Sequence, residues 1–465
     1  MPDTLPEKRL PMPALAGMVL AASLAPLGST MMAVAMPAIA ADVGRSDTEV
    51  TQWLVAGYLI TNIALQSPGG KLGDLAGHSR ALLIGLALVA AGSVLGWLVS
   101  ALPALVTARV LMAAGGAATV PAVMAMLRNA VTPERRARAF GTFGACMGIA
   151  AAVGPLVGGA LLTWLDWRAL FAANLPVVAL SVALVLFHRA PAAAAQPRPK
   201  FDWLGSLLVA VGLGAVVAAP RLPGIGLWVG VGGVALLLVF GWVETRVAAP
   251  VVDLRLFRRP AFVAGGGTIA LQNLAMYALL FQLPIFFAKA RLLEPGAIGP
   301  ALLALTLAMV AASLVAGRVS ERIGARAQVL LGSLLGLGGL WWFRDFAAIR
   351  TPVDVVPGLL LMGTGIGLSS PPSQAAAMGA VARENSGMAG GVLSTMRYLG
   401  GIAGIAAMGA LVADAASPAS HDLPVYVYAG ALAAAAALAL MLPGRTKAKA
   451  NPSEESPNNE KRPVN

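Results

Sequence analysis

Uncharged stretches of about twenty residues recur along the whole chain, and they restrict its fold more than any other feature. Val50 to Gly70, Ala169 to Phe187, Leu222 to Val243, Pro295 to Gly317 and Leu423 to Gly444 hold no Asp, Glu, Lys or Arg. Roughly 20 helical residues cross a hydrocarbon layer about 30 Å thick. In lipid the backbone must bond to itself, as a helix does. The 465 residues are 58% hydrophobic and 12% charged, with mean hydropathy +0.78; a soluble chain carries about 25% charged residues. The fold class is therefore an all-α polytopic membrane protein.

Fourteen spans are predicted, near 13–36, 51–69, 81–100, 104–127, 140–162, 169–187, 204–219, 226–243, 262–287, 298–317, 327–343, 355–376, 391–413 and 423–442. Short loops rich in Lys and Arg stay in the cytoplasm. With the N-terminus inside, inside segments hold 24 of the 33 basic residues, outside loops seven, and spans two, Arg109 and Arg397. Both termini are then cytoplasmic, in a bacterial-type inner membrane. The net charge of +12 reports topology, and nucleic acid is not a predicted partner. The uncharged run Leu10 to Ala41 is 32 residues, too long for the apolar part of a secretory signal, and reads as an uncleaved first span. The single cysteine, Cys146, lies inside a span, which leaves no disulfide framework or thiol metal site.

A repeat organises the chain. Gly70, Lys71, Asp74, Gly77 and Arg80 follow span two; Gly317, Arg318, Glu321, Gly324 and Arg326 follow span ten in nearly the same spacing. Two equivalent halves are implied, as in transporters built from internal repeats. The expected organisation is a cytoplasmic N-terminus (1–12), a six-helix bundle (13–190), linkers enclosing an inserted two-helix hairpin (191–260), a second six-helix bundle (261–443) and a polar, disordered cytoplasmic tail (444–465).

These residues resemble the major facilitator superfamily, specifically its fourteen-span drug:proton antiporter branch. The Gly70 to Arg80 loop is similar to the superfamily's cytoplasmic signature, Arg109 to Gly115 to its fourth-span arginine motif, and Gly148, Gly154, Pro155, Gly158 and Gly159 to the antiporter motif of span five. Gln52-Trp53 with Tyr58, Trp167-Arg168 with Phe171 and Asn174-Leu175-Pro176, and Phe201 to Gly205 resemble segments of the fourteen-span branch. The resemblance implies two pseudo-symmetric six-helix bundles plus the hairpin, and multidrug-type efflux by alternating access. It also implies an acid in the first span, in a Leu-Asp-x-Thr pattern; this chain reads Leu27-Gly28-Ser29-Thr30.

Each motif has a physical reading. Glycines in the Gly70 loop permit tight turns, and Asp74 can accept from a neighbouring helix N-terminus or pair with Arg80. With Gly77 and, in the second copy, Gly317, Glu321 and Arg326, these residues form the candidate cytoplasmic gate. The span-five glycines allow close backbone approach, and Pro155 a kink. Ser46-Asp47-Thr48-Glu49 reads as a capping box for span two.

Ionisable residues inside spans are functional candidates. Arg109 lies about 8 Å below the outer face and Gly28 about 12 Å, by helical rise. Arg109 is expected to face the cargo cavity, which Gln52, Tyr58, Gln272, Asn273, Tyr277 and Gln282 also line. Arg397 is expected to snorkel to the inner interface. Every one of the 21 acids falls in a loop, tail or span end, so Asp42 and Asp414 at the outer margin and Asp74 at the inner one are the candidates to replace a buried carboxylate.

No metal cluster, paired carboxylates or nucleophile with its base appears in the spans, which argues against an enzyme. No Walker-type loop implies ATP, and no cofactor is predicted. The sequence reads as a monomeric secondary exporter of drugs or metabolites, with small-molecule cargo, the bilayer and protons as its partners. The alternatives are an exporter of anionic or neutral metabolites without conventional proton coupling and, more distantly, a non-transporting sensor. In a Cys146→Ala background, Glu134→Cys should react with an impermeant thiol reagent from the inside and Asp47→Cys from the outside; labelling of the Glu134→Cys protein on intact cells would reverse the topology.

Overall fold

The computed structural model describes residues 12–45, 50, 52–187, 202–219, 222, 224–248, 250–293 and 298–444. Among them fourteen principal helices follow one another: α1 (Met12–Val43), α2 (Gly57–Ala76), α3 (His78–Leu98), α4 (Leu102–Ala130), α5 (Arg136–Trp164), α6 (Asn174–Phe187), α7 (Trp203–Ala218), α8 (Gly226–Glu244), α9 (Pro260–Lys289), α10 (Gly299–Ile323), α11 (Ala325–Trp341), α12 (Val356–Gly379), α13 (Ser386–Leu411) and α14 (Asp422–Ala439). A helix covers every predicted span, and ten helices are long and apolar enough to cross a membrane. The other four are α2 and α13, which carry polar residues, and α7 and α11, at 16 and 17 residues.

The first six helices and the last six pack in matching ways. α1 packs on α5 and α6, α2 and α3 on α4; equivalently, α9 packs on α13 and α14, α10 and α11 on α12. Small residues let these backbones touch. A Cβ on Gly85 of α3 would stand 2.7 Å from the Gly115 carbonyl oxygen of α4, and Gly332 and Gly365 make the same mutual approach between α11 and α12. Lipid tails are as apolar as the helices, so close packing supplies the attraction that burial from water supplies in soluble proteins.

The Gly70 and Gly317 segments, expected as loops, are the last turns of α2 and α10. Helical hydrogen bonding continues past the apolar run, with Lys71 buried in the protein and Arg318 and Glu321 exposed. The chain reverses one turn later, at Gly77 (φ 95, ψ 134) and Gly324 (φ 82, ψ 159), a conformation that essentially requires glycine. The proposed cap at Ser46 to Glu49 lies outside the described residues.

α7 and α8 pair with each other, and α7 lies against α2. Asp202 caps α7, accepting from Gly205 N at 2.8 Å. Buried Glu244, ending α8, accepts from the Val251 and Val252 N–H groups at 3.3 and 3.4 Å. Both carboxylates crowd the point where a Cβ on Gly205 would stand, and Lys71 of α2 is within electrostatic reach of Glu244. The outer face of α8, with Leu227, Trp228, Val231 and Leu238, is exposed and apolar, as suits a helix facing lipid. Gly205→Leu should lower thermal stability in detergent by about 1–3 kcal/mol, the usual range for an overpacked site; Gly232→Leu, where a side chain meets nothing within 4 Å, should leave it unchanged.

Candidate functional site between the helix groups

Contacts between the two groups gather at the end that carries Gly70 and Gly317. There α2 meets α13 so closely that Gly70 and Gly387 lie backbone against backbone. That approach brings the Asp74 carboxylate to the start of α13, where it accepts from Gly387 N and Met388 N, both at 2.7 Å. The first N–H groups of a helix lack internal partners and carry partial positive charge. The sequence left two partners open for Asp74; the structure shows the helix terminus, while Arg80 is exposed. His78 Nε2 stands 3.7 Å from the carboxylate.

The α5–α10 crossing repeats the arrangement with the groups exchanged. A Cβ on Gly317 would sit 2.5 Å from Arg138 Cα, and Glu321 accepts from Arg138 at 2.8 and 3.0 Å. Further along α5, Gly148 faces Val310 of α10 at 3.0 Å. Arg128 and Asn129 at the end of α4 add bonds across the same seam: Arg128 Nε donates to Met378 O at 3.2 Å and its Nη2 to Val381 O, and Asn129 reaches Ser386 at 3.1 Å. Arg128 is buried, although its sequence context reads as an ordinary basic loop. Arg326 does not bridge the groups as expected; its Nε donates to Leu442 O within the second group at 2.9 Å.

Toward the other end, α5 turns to its own group. Gly154 packs on α1, where a Cβ would stand 3.1 Å from Leu27 O, whereas a Cβ on Gly159 would meet nothing within 4 Å. Gly158 is buried, and α5 runs as one helix through Pro155. Among these, Gly148 and Gly154 are close-approach positions on which a side chain would press against a neighbour, and Gly159 is not one.

Arg397 does not snorkel. Its Nη2 donates to Gln374 Oε1 of α12 at 3.1 Å, and Tyr277 and Tyr398 lie within its electrostatic reach. Tyr398 in turn is within reach of Tyr58 in the first group. Arg397, Tyr277 and Tyr398 are half-buried and Tyr58 is buried, and Tyr398 links the second group's pair to the first group's phenol across the seam. Nothing in the residue string separates Arg397 from an interfacial arginine, because distance along a helix does not tell which face a residue occupies.

Arg109, Gly28 and Tyr58 do come together, around one cavity, but its walls belong to α1–α4. Arg109 is 1% exposed, so it is enclosed within the first group and not placed on the surface shared with the second. Other predicted lining residues serve packing: Gln272 donates to Ser369 at 2.6 Å, Asn273 to Ile269 O of its own helix at 2.8 Å, and Gln282 ties α9 to the start of α14 through His421 O at 2.7 Å and Tyr428 at 2.9 Å. The Gln52 side chain lies outside the description. At the outer margin Asp42 pairs with Arg168 at 2.8 Å and Asp414 accepts from Ala416 N at 2.9 Å, so both are engaged in local structure. No cluster of three or more His, Cys, Asp or Glu suited to a metal occurs among the described residues.

A Major Facilitator Superfamily model matches residues 18–405 and, in a second match, 266–464. The chain belongs to the Major Facilitator Superfamily. It is 33% identical over 402 residues to the multidrug resistance protein Stp of Mycobacterium tuberculosis, covering 83% of this chain and 73% of that protein. It is 31% identical over 419 residues to a probable actinorhodin transporter of Streptomyces coelicolor, covering 85% and 71%. The solved structure of the proton:xylose symporter XylE shares the fold, with a TM-score of 0.68 at 13% identity over 93% of this chain and 96% of that one. The protein is a multi-pass membrane transporter with multidrug and antibiotic-export relatives. Gly154→Leu should cost about 1–3 kcal/mol of packing and most dye efflux at matched membrane levels, whereas Gly159→Leu should retain it; equal efflux in the two variants would deny α5 a specific contact on α1.

Proposed function

We propose that the protein exports small molecules across the cytoplasmic membrane by alternating access, as a monomer with both termini inside and α7–α8 as a hairpin inserted between two six-helix bundles. This is the fourteen-span, drug:proton antiporter arrangement. The observation that carries the reading is the seam: its bridging bonds gather at the Gly70 end, on the two crossings α2–α13 and α5–α10. Breaking them while the bundles rock would open the space between the bundles to the cytoplasm, with the Gly148 contact of α5 on α10 as the sliding surface.

Asp74 is the group through which a pH gradient acts. Burial pushes its carboxyl up to about 7 from the ordinary 3.8, while the Met388 and Gly387 N–H groups and Lys71 pull it down and Glu384 pushes it up. Released into water it would return toward the ordinary value. The closed gate therefore holds more protons than the open gate between those two values. Closure is favoured as pH falls through 7 and weakened above it. Arg397 and the three tyrosines suit neutral or anionic cargo with aromatic rings, since a cation would meet a fixed positive charge. The same arginine favours the second reading, an exporter of anionic metabolites that does not use protons.

Uptake into everted vesicles of a dye panel spanning cationic, neutral and anionic species, with and without a pH gradient, tests both. Wild-type uptake should require the gradient and favour neutral and anionic dyes. Asp74→Asn weakens two charge-assisted bonds, worth about 1.5–3 kcal/mol each, and should lower uptake by roughly tenfold or more and flatten its pH dependence. Gradient-independent transport of anions alone, unaltered in pH profile by Asp74→Asn, would leave the second reading standing.

A further inference from the structure

The cavity inside the first helix group is not part of the seam, and its chemistry is unusual. Arg109 stands in its wall 1% exposed. Its Nε donates to Leu54 O at 3.4 Å, and its guanidinium lies over the Tyr58 ring, 4.1 Å from the centroid. Nη1 is buried and has no hydrogen-bond partner. Tyr58 is its electrostatic neighbour, and no carboxylate among the described residues stands within reach.

An arginine stays protonated even when buried, and an unpaired charge in an apolar interior is among the most costly arrangements a fold can hold. The π face of Tyr58 and one carbonyl offset part of that cost. A water molecule would satisfy Nη1 but leave the charge. An anion would answer both needs.

The walls say which anion fits. The cavity extends from Arg109 past Gly28, Ala25 and Met112, and it has room for about one water-sized sphere. On the Gly28 side stands Asn174, also 1% exposed, whose Oδ1 has no partner and lies 3.4 Å from where a Gly28 Cβ would be. Its Nδ2 donates to Leu170 O and Phe171 O, both at 3.1 Å, so the amide is held with its oxygen toward Gly28. The space leaves no room for the further oxygens of a free carboxylate or phosphate ion. Tyr58 OH is already given to Ala25 O at 3.3 Å. Thr119, whose hydroxyl also lacks a partner, lines the far end about 15 Å along α4, beyond reach of an ion at Arg109.

We propose that this cavity is a halide site: a single monoatomic anion accepts from Arg109 Nη1 between α1, α2 and α4 and balances the buried guanidinium. The ion belongs to the first helix group alone and is neither cargo nor part of the gate. Its expected effect is on how firmly α1 and α4 are held together.

The test uses the full-length protein purified in detergent, in sodium gluconate, chloride or bromide at one ionic strength. Chloride and bromide should raise Tm saturably by at least about 3 °C over gluconate, a shift readily resolved for a chain of this size. Bromide-soaked crystals should show an anomalous peak within hydrogen-bonding distance of Arg109 Nη1. Arg109→Gln removes the charge and should abolish the halide response. Gly28→Asp supplies a carboxylate from α1 and should make Tm in gluconate match or exceed that of the wild type in chloride, with no further halide effect. Should Arg109→Gln fail to fold, Gly28→Asp and the bromide peak decide the matter alone. Equal wild-type Tm in gluconate and halide, a halide shift that persists in Gly28→Asp, or bromide bound elsewhere would overturn the proposal.

Discussion

A carboxylate set against the start of a helix is the contact on which the arrangement of the two groups depends. Asp74 satisfies two N–H groups of α13 that no residue of α13 can satisfy for itself. The bond is possible only because Gly70 and Gly387 let the backbones touch. Bulk at either position would hold the carboxylate away from the helix terminus, and water would enter between them. The interaction is strong while the joint stays dry, where the N–H groups have no competing water, and it weakens once water enters between the two helices. A joint that must close tightly and still open needs both properties.

The rest of the seam distributes that demand. On the α5–α10 crossing the charged pair is Arg138 with Glu321, exposed to solvent, where a surface ion pair is worth about 0–1 kcal/mol. The corresponding buried contribution comes from Arg128, whose guanidinium reaches the carbonyls that end α12. The α5–α10 crossing thus relies on an exposed ion pair; the buried charges are a carboxylate on a helix N-terminus at α2–α13 and a cation on carbonyls near a helix C-terminus at α4–α12. Both exploit the same dipole from opposite ends.

Much of this was legible from the residue string. Charge-free runs located most of the helices, and the paired Gly70 and Gly317 segments pointed to the duplication, because membrane insertion and loop reversal impose requirements that composition alone expresses. Helix ends were less legible: α2 and α10 continue through residues such as Lys71, Asp74 and Glu321 that hydropathy assigns to loops, since backbone bonding does not stop where lipid does. The proximity of Gly28 to Arg109 could be anticipated from equal depth. That the cavity they share is walled by one group alone could not, because depth says nothing about facing. Gln272, Asn273 and Gln282 mark the same limit. A polar side chain in an apolar helix must find a partner, and whether that partner is a neighbouring helix or a passing solute is decided by rotation about the helix axis.

The turns at Gly77 and Gly324 carry a mechanical implication. Each joins two long helices through a single residue in a backbone conformation closed to other amino acids, with no intervening length of chain to absorb displacement. A tilt of α2 or α10 must therefore be handed to α3 or α11 without delay, in the way a stiff elbow transmits torque from one rod to the next. α3 and α11 in turn grip α4 and α12 through the glycine contacts at Gly85 and Gly332. Motion begun at the Gly70 end would then reach the opposite end of the helices through rigid parts, with little of it dissipated in slack loops.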